Sequence, residues 1–252
     1  MHKISVLLGA DTEFNMAHIY NPKVATSGLI AYFDPANTAS YSGSGSSLNN
    51  LVGSGNSCTL YGSPAFSSNN LGYFTFNPVS SNYAENASPT GLSGNAEATL
   101  AVWVYPTTTS LSVNYETVIS YGGQLVAGDT LAITLYTHSR AWSLGFNGGN
   151  DMTTAGGAYT PNTWNYLVAT KTPGAANTTT KLYVNGSEVA AATTTTITPN
   201  VVSRVIRLGR WILDSQPLYL NGRISCAMIY NRALSASEVA SNFSALRGRY
   251  GI

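Results

Sequence analysis

The chain predicts an all-β fold, two antiparallel sheets packed face to face with one short C-terminal helix, and three observations carry that expectation. Short runs with apolar residues at alternate positions recur along the 252 residues. Turn dipeptides separate those runs at regular intervals. A helix-start signature stands near the end of the chain. At this length one sandwich or barrel domain is as common as two domains, and many short strands with a single late helix favour packed sheets.

The elements follow in order. Residues 1–27 fit no strand pattern and read as an N-terminal arm, with Asn21-Pro22 as a break before the domain, which spans 28–252. Lys3 followed by the apolar stretch 4–8 imitates a signal peptide, but Asp11 and Glu13 cut it short and no small-residue cleavage pattern precedes Thr12. The expectation is synthesis in the cytoplasm without secretion. Ile4, Val6, Leu7 and Leu8 would be exposed on a lone arm, so they are expected to dock on another subunit.

From Gly28 the alternation has period two, with Leu29, Ala31 and Phe33 on one face and Ile30, Tyr32 and Asp34 on the other. Residues 41–45 form a loop, and Cys58-Thr59-Leu60-Tyr61 and Tyr73-Phe74-Thr75-Phe76 are strands. The stretch 99–105 is the best central strand: Leu100, Val102 and Val104 should lie between the sheets, with Thr99, Ala101, Trp103 and Tyr105 opposite. Runs at 117–120, 131–136, 142–146, 164–170 and 181–184 continue the series. Asn185-Gly186 suits both central positions of a type I′ turn and leads into 188–190. The threonine run 193–196 reads as strand edge or loop, and 206–208 precedes a loop holding Trp211. Asn221-Gly222 reads as a second I′ turn opening the last strand, 223–230. Ser235 with Glu238 forms a capping box, and Val239 and Phe243 lie one helical turn apart.

Charged residues are only 9%, against roughly 25% in an average soluble chain. Ser, Thr, Asn and Gly supply the polarity, which suits surfaces that meet sugars or protein neighbours. The net charge of +1 gives no footprint for nucleic acid. No apolar run is long enough for a membrane span. Cys58 and Cys226 make no disulfide framework and read as two thiols.

Retaining glycoside hydrolysis needs two carboxyl groups roughly 5–5.5 Å apart, which on a strand means acids at i and i+2 or i+4. Glu85, Glu97, Glu116, Asp129, Asp151, Glu188, Asp214 and Glu238 are each isolated; only Asp11 and Glu13 are neighbours, and they sit in the arm. His2, His18 and His138 have no second histidine at ligand spacing, His138 reading as a solvent-facing turn residue. The chain is therefore expected not to be an enzyme. Aromatic chemistry remains, because sugar C–H faces stack on Trp and Tyr. Trp211, flanked by Arg210 and Asp214, is the first candidate; it either stacks on a ligand or caps an open end of the core. Trp142 with Asn147 is the second, with core packing the simpler reading. Trp164 reads as packing, and Trp103 as lining a sheet or packing under a loop.

The segment from Asn221 through Ile224, Ile229, Tyr230, Asn231, Arg232, Ala233, Leu234, Ser235, Glu238 and Val239 resembles the closing strand of laminin-G-like domains in the concanavalin A-like lectin superfamily. GLIAYFDPANTASYSGSG from Gly28, ATLAVWVYP from Ala98, and NTWNYLVATKTPG with KLYVNGSEVA from Asn162 resemble it in the same order. The resemblance implies a concanavalin A-like jelly-roll sandwich. Its hydrolases carry an ExDxxE-type cluster, which this chain lacks. Many members use calcium, but Asn77, Asn82 and Ser225 stand where acids are frequent, so no metal or other cofactor is assigned. The opening segment and the tail 247–251 are most similar to the version in structural proteins of marine tailed bacteriophages. That implies a virion structural protein of capsid or tail, with other virion proteins, copies of itself and cell-surface glycans as partners. A free-standing lectin, or a glycoside hydrolase whose acids meet only in space, are the alternatives.

Overall fold

A computed structural model describes residues 22–53, 55–68, 72–109, 115–123, 126–147, 151–213, 215 and 218–252. The arm residues Ile4, Val6, Leu7 and Leu8 lie outside the described residues. In chain order come β1 (Leu29–Phe33), β2 (Ser47–Leu48), β3 (Cys58–Tyr61), β4 (Ala65–Ser67), β5 (Tyr73–Phe76) and β6 (Tyr83–Asn86). Then follow β7 (Ala98–Pro106), β8 (Tyr115–Gly122), β9 (Thr130–Tyr136), β10 (Ala141–Gly145), β11 (Asp151–Thr154) and β12 (Asn165–Lys171). After a helical turn at Ala176–Thr179 come β13 (Thr180–Val184), β14 (Ser187–Val189), β15 (Ala191–Thr193), β16 (Val205–Leu208) and β17 (Gly222–Tyr230), and then the C-terminal helix Ala236–Leu246.

Within the described residues the strands form two antiparallel sheets. The eight-stranded sheet runs β14-β13-β12-β7-β17-β5-β4, with β1 also paired to β17. The nine-stranded sheet runs β15-β11-β10-β9-β8-β16-β6-β3-β2. Leu100, Val102 and Val104 are 1%, 0% and 0% exposed in the core between the sheets, as the alternation of β7 requires. A second apolar layer covers the outer face of the eight-stranded sheet, where Trp103, Tyr166, Val168, Met228 and Tyr230 meet the C-terminal helix. Cys58 is buried in the first layer and Cys226 in the second, both as free thiols. No described helix is long and apolar enough to cross a membrane.

The Asn185-Gly186 turn forms as expected: both residues have positive φ, 49° and 83°, and Val184 pairs with Ser187. Gly186 is needed twice, because a Cβ there would stand 3.0 Å from the Phe243 ring of the helix lying over it. Asn221-Gly222 is a correction, since neither residue has positive φ among those the structure places in that region and Gly222 is already paired with Pro106 and Phe76. Its glycine serves close approach, as a Cβ would lie 2.6 Å from the Tyr105 carbonyl oxygen. The first strand is corrected as well: a bulge between Leu29 and Ala31 turns Leu29 into the outer layer while Ala31 and Phe33 stay between the sheets.

Residues 23–27, counted with the arm from sequence, are attached to the sandwich. The Ala25 N–H donates to Asn242 Oδ1 (2.7 Å), the Tyr230 hydroxyl to Ala25 O (3.0 Å) and Ser241 Oγ to Lys23 O (3.1 Å). At the other terminus a 3₁₀ turn, Arg247–Tyr250, folds back so that Arg249 forks onto Asp34 at 2.8 and 2.9 Å.

The capping box forms, with the Glu238 N–H donating to Ser235 Oγ and the Ser235 N–H to Glu238 Oε2. Arg232 also grips Glu238 at 2.6 and 2.8 Å, and chiefly through those bonds the carboxyl falls to about 2. A depressed folded-state value contributes stability above the ordinary glutamate range that is lost as pH falls toward 2. The side chains are 24% and 35% exposed, so water screens the pair and the contribution is about 1 kcal/mol or less. Urea midpoints at neutral and acid pH should show this acid limb flattened in Glu238→Gln; an unchanged limb would remove Glu238 from the acid response.

Candidate functional site

The outer face of the nine-stranded sheet is crossed by the loop that joins β16 to β17. Gly209 opens it at φ 79°, where a Cβ would stand 2.5 Å from the Phe76 ring. Leu220 donates to Gly209 O (2.9 Å), Trp211 N to Leu218 O (3.1 Å) and Thr117 N to Leu218 O (3.3 Å), so the loop returns as a ribbon tied to β8. Arg207 fastens it from below. Its Nε donates to Glu85 Oε2 at 2.6 Å, and its Nη1 donates to the carbonyls of Trp211 (3.1 Å) and Ile212 (2.6 Å).

Trp211 lies down on Ala132 and Val205 with Ile212 beside it, and is 9% exposed. Of the two readings the sequence left open, stacking on a ligand or capping an open end of the core, the packing is closer to the second, but it covers the outer face of a sheet and not an end of the core. Arg210, its neighbour, packs against two tyrosines. The guanidinium carbon stands 4.8 Å from the Tyr83 ring centre and 5.5 Å from that of Tyr219, within cation–π range. Tyr61 stacks on Tyr83 with centres 4.9 Å apart and planes 13° from parallel. Tyr61 is 43% exposed, and Tyr83 and Tyr219 are half-buried. Burial first and then Glu85 push the Tyr83 phenol up, against the pull of Arg210 and Arg207, so it stays a neutral donor and acceptor.

These three tyrosines form an aromatic platform on the outer face of the sheet, in which Tyr61 and Tyr83 stack on each other, Tyr219 is tilted 51° to Tyr83, and Arg210, only 8% exposed, is buried against two of the rings. Tyr61 was within reach of sequence reasoning, because period two places it opposite Leu60 on the solvent side of β3. Tyr83 was not: Tyr83–Asn86 lacks apolar alternation and does not read as a strand. Tyr219 lies in a loop and carries no local signal.

The second candidate does not present a ligand face. Trp142 is fully buried between the sheets, and Asn147, at φ 67°, uses its amide on Val126 O and Asp129 Oδ1. Asp214 lies outside the described residues. Asn77 caps a 3₁₀ turn through Val79 N, and Asn82 Oδ1 accepts from Asn77 N, so both support the backbone. His138 is half-buried beside Tyr115 and Tyr136, not solvent-facing. Glu116 and Asp151 are carboxyls that burial pushes up. Glu116 pairs opposite Leu135, a residue of the inner core, and takes the Asn221 N–H and the Thr108 hydroxyl. Asp151 faces outward, next to the inward Met152, and takes the Tyr136 hydroxyl at 2.5 Å. The two acids therefore sit on opposite faces of one sheet. Among the described residues no group of three or more His, Cys, Asp or Glu gathers at metal-binding distance.

The laminin G profile of the concanavalin A-like lectin/glucanases superfamily matches residues 79–240. No curated protein sequence matches the chain. Among solved structures, Trypanosoma rangeli sialidase in complex with sialic acid superposes with a TM-score of 0.62 at 16% identity, covering 90% of this chain and 34% of that one. The binding domain of botulinum neurotoxin DC superposes at 0.64 and 13% identity in complex with SialylT, and at 0.63 and 12% with rat synaptotagmin II, each covering 87% of this chain and 52% of the other. The chain thus spans about a third of the sialidase chains and half of the toxin chains. Identities this low establish the fold alone.

Proposed function

The chain belongs to the laminin G-like family of the concanavalin A-like lectin/glucanase superfamily, and from that premise we propose that it is a non-catalytic carbohydrate-recognition module displayed on a virion. The observation that carries the recognition part is the platform of Tyr61, Tyr83, Tyr219 and Arg210. Sugar rings lay C–H faces on exposed tyrosines such as Tyr61, while phenol groups take the hydroxyls and Arg210 holds the Tyr83 and Tyr219 rings from beneath. An aromatic cluster on an open sheet face suits a stretch of polysaccharide better than an enclosed small ligand. The sialidase and toxin structures were solved with sialic acid and with SialylT, which supports glycans as the partner class. The separation of Glu116 and Asp151 onto opposite faces supports binding without cleavage.

Calorimetry against host-surface polysaccharides tests this reading. Tyr83→Ala is expected to weaken binding about tenfold, the equivalent of ~1.4 kcal/mol, with Tyr61→Ala and Tyr83→Ala combined abolishing it. No reducing ends should be released on prolonged incubation. Undiminished affinity in the double variant, or sugar release above background, would overturn the platform reading.

The virion context is supported by the phage-type resemblance of the opening segment and of the tail. The N-terminal residues are the proposed anchor, and Lys23 and Ala25 belong to the sandwich, so the informative deletion removes only residues 1–21. The shortened protein should melt like the full chain but fail to join phage particles. Incorporation at full occupancy would exclude an anchoring role and favour a free lectin.

A further inference from the structure

We propose that a cleft on the outer face of the eight-stranded sheet is a second binding site, sized for one neutral sugar ring. It lies where β12 and β13 meet the start of the C-terminal helix, and its volume is about 230 Å³. Thr170, Lys181 and Tyr183 line it from the strands, Thr172 from just past the end of β12, Thr178 and Thr179 from the helical turn before β13, and residues 233–236 close the far side. With each water occupying ~30 Å³, the cleft holds the volume of about eight waters. That space admits one pyranose ring and not a folded oligosaccharide.

The lining decides the ligand class. Threonine offers a hydroxyl that both donates and accepts beside a methyl group, matching the alternation of hydroxyl and C–H on a sugar. Thr178 and Thr179 both donate their hydrogens to Ala175 O at 3.0 Å, so toward the cleft they present acceptor lone pairs for ligand hydroxyls. Charge gives no preference for an ion. Lys181 at the mouth is matched by Glu188 at 3.0 Å. The helix N-terminus bordering the cleft already has its capping box closed by Ser235 and Glu238, so it offers little to an anion. A neutral polyhydroxylated ring is the ligand left by these conditions.

The site does not rest on the tyrosine platform, which lies on the outer face of the other sheet. If both are occupied, one domain holds sugars on two opposed surfaces and can bridge two glycan chains, a property that neither site has alone.

The test uses the full chain and three probes, D-glucose, D-galactose and N-acetyl-D-glucosamine, added separately at millimolar concentration while backbone amide shifts are followed by NMR. At least one probe is expected to move the amides of Thr170, Thr172, Thr178 and Thr179 in a saturable way, with a millimolar Kd, and to do so equally in Tyr83→Ala. Ala236→Trp fills the cleft from an exposed helix position and should weaken that binding at least tenfold. Thr172→Arg, also at an exposed position, serves as an independent block. Unmoved cleft amides with all three sugars, or wild-type affinity in the folded blocked variants, would overturn the proposal. Loss of polysaccharide binding in Tyr83→Ala with the cleft response retained separates the fate of this site from that of the platform.

Discussion

Trp103→Ala is expected to cost about 3–5 kcal/mol, the range for removing a buried aromatic side chain. For a domain of this size that lowers Tm by roughly 6–20 °C. The indole is fully buried and stacks on three rings: Tyr250 at 3.9 Å, Tyr166 at 5.0 Å and Phe243 at 5.7 Å between centres. Those rings come from the tail, from the neighbouring strand β12 and from the C-terminal helix, so one side chain joins two segments, helix and tail, to the sheet. Among the described residues its Nε1 has no hydrogen-bond partner, so Trp103→Phe, which removes that donor and keeps a ring, should be far milder than Ala. Thermal melts of the two variants decide the matter. A loss below about 1 kcal/mol for Ala would mean that helix and tail are not part of the cooperative unit.

Arg207→Met should cost a similar 3–5 kcal/mol, because it leaves a partner charge and two carbonyls without their donor in a water-poor site. The Arg207 and Glu85 side chains are 6% and 15% exposed at a separation of 2.6 Å. The double change Arg207→Met with Glu85→Gln should recover part of the loss, since a buried pair replaced on both sides no longer strands a charge. The single change also frees the carbonyls of Trp211 and Ile212, so amide exchange in the β16–β17 loop should accelerate more than the global loss of stability predicts. Polysaccharide affinity should fall with it, because that loop carries Arg210 and Tyr219. A double variant less stable than Arg207→Met alone would show that the pair is not the source of the effect.

What could be read from the sequence was what neighbouring residues decide among themselves. The alternation of Leu100, Val102 and Val104 fixes which side of β7 faces the core, and Ser235 with Glu238 closes its own box without outside help. The same dipeptide then succeeds at Asn185-Gly186 and fails at Asn221-Gly222. At the second position the Asn221 N–H is held by Glu116 and its carbonyl by Thr107 N, contacts more than a hundred residues away that keep the chain extended. Bulges are hidden for a similar reason, because the extra residue at Ile30 exists only relative to the strand it pairs with. The platform was half legible. Of its residues only Arg210 was named from sequence as a candidate, because Trp211 beside it packs on Ala132 and Val205 and the platform's rings arrive from β3, from β6 and from the far end of the loop.

The two main apolar layers of this sandwich hold one cysteine each, Cys58 between the sheets and Cys226 in the outer layer near Arg249 and Tyr250 of the tail. Burial pushes both thiols up, so neither reacts until the packing around it parts. The protein thereby contains two chemical clocks started by different events: alkylation of Cys226 times the lifting of the helix and tail, and alkylation of Cys58 times the separation of the sheets. Equal rates would describe a molecule that opens all at once. A faster Cys226 would describe one that sheds its outer layer first and keeps its sheets together while doing so.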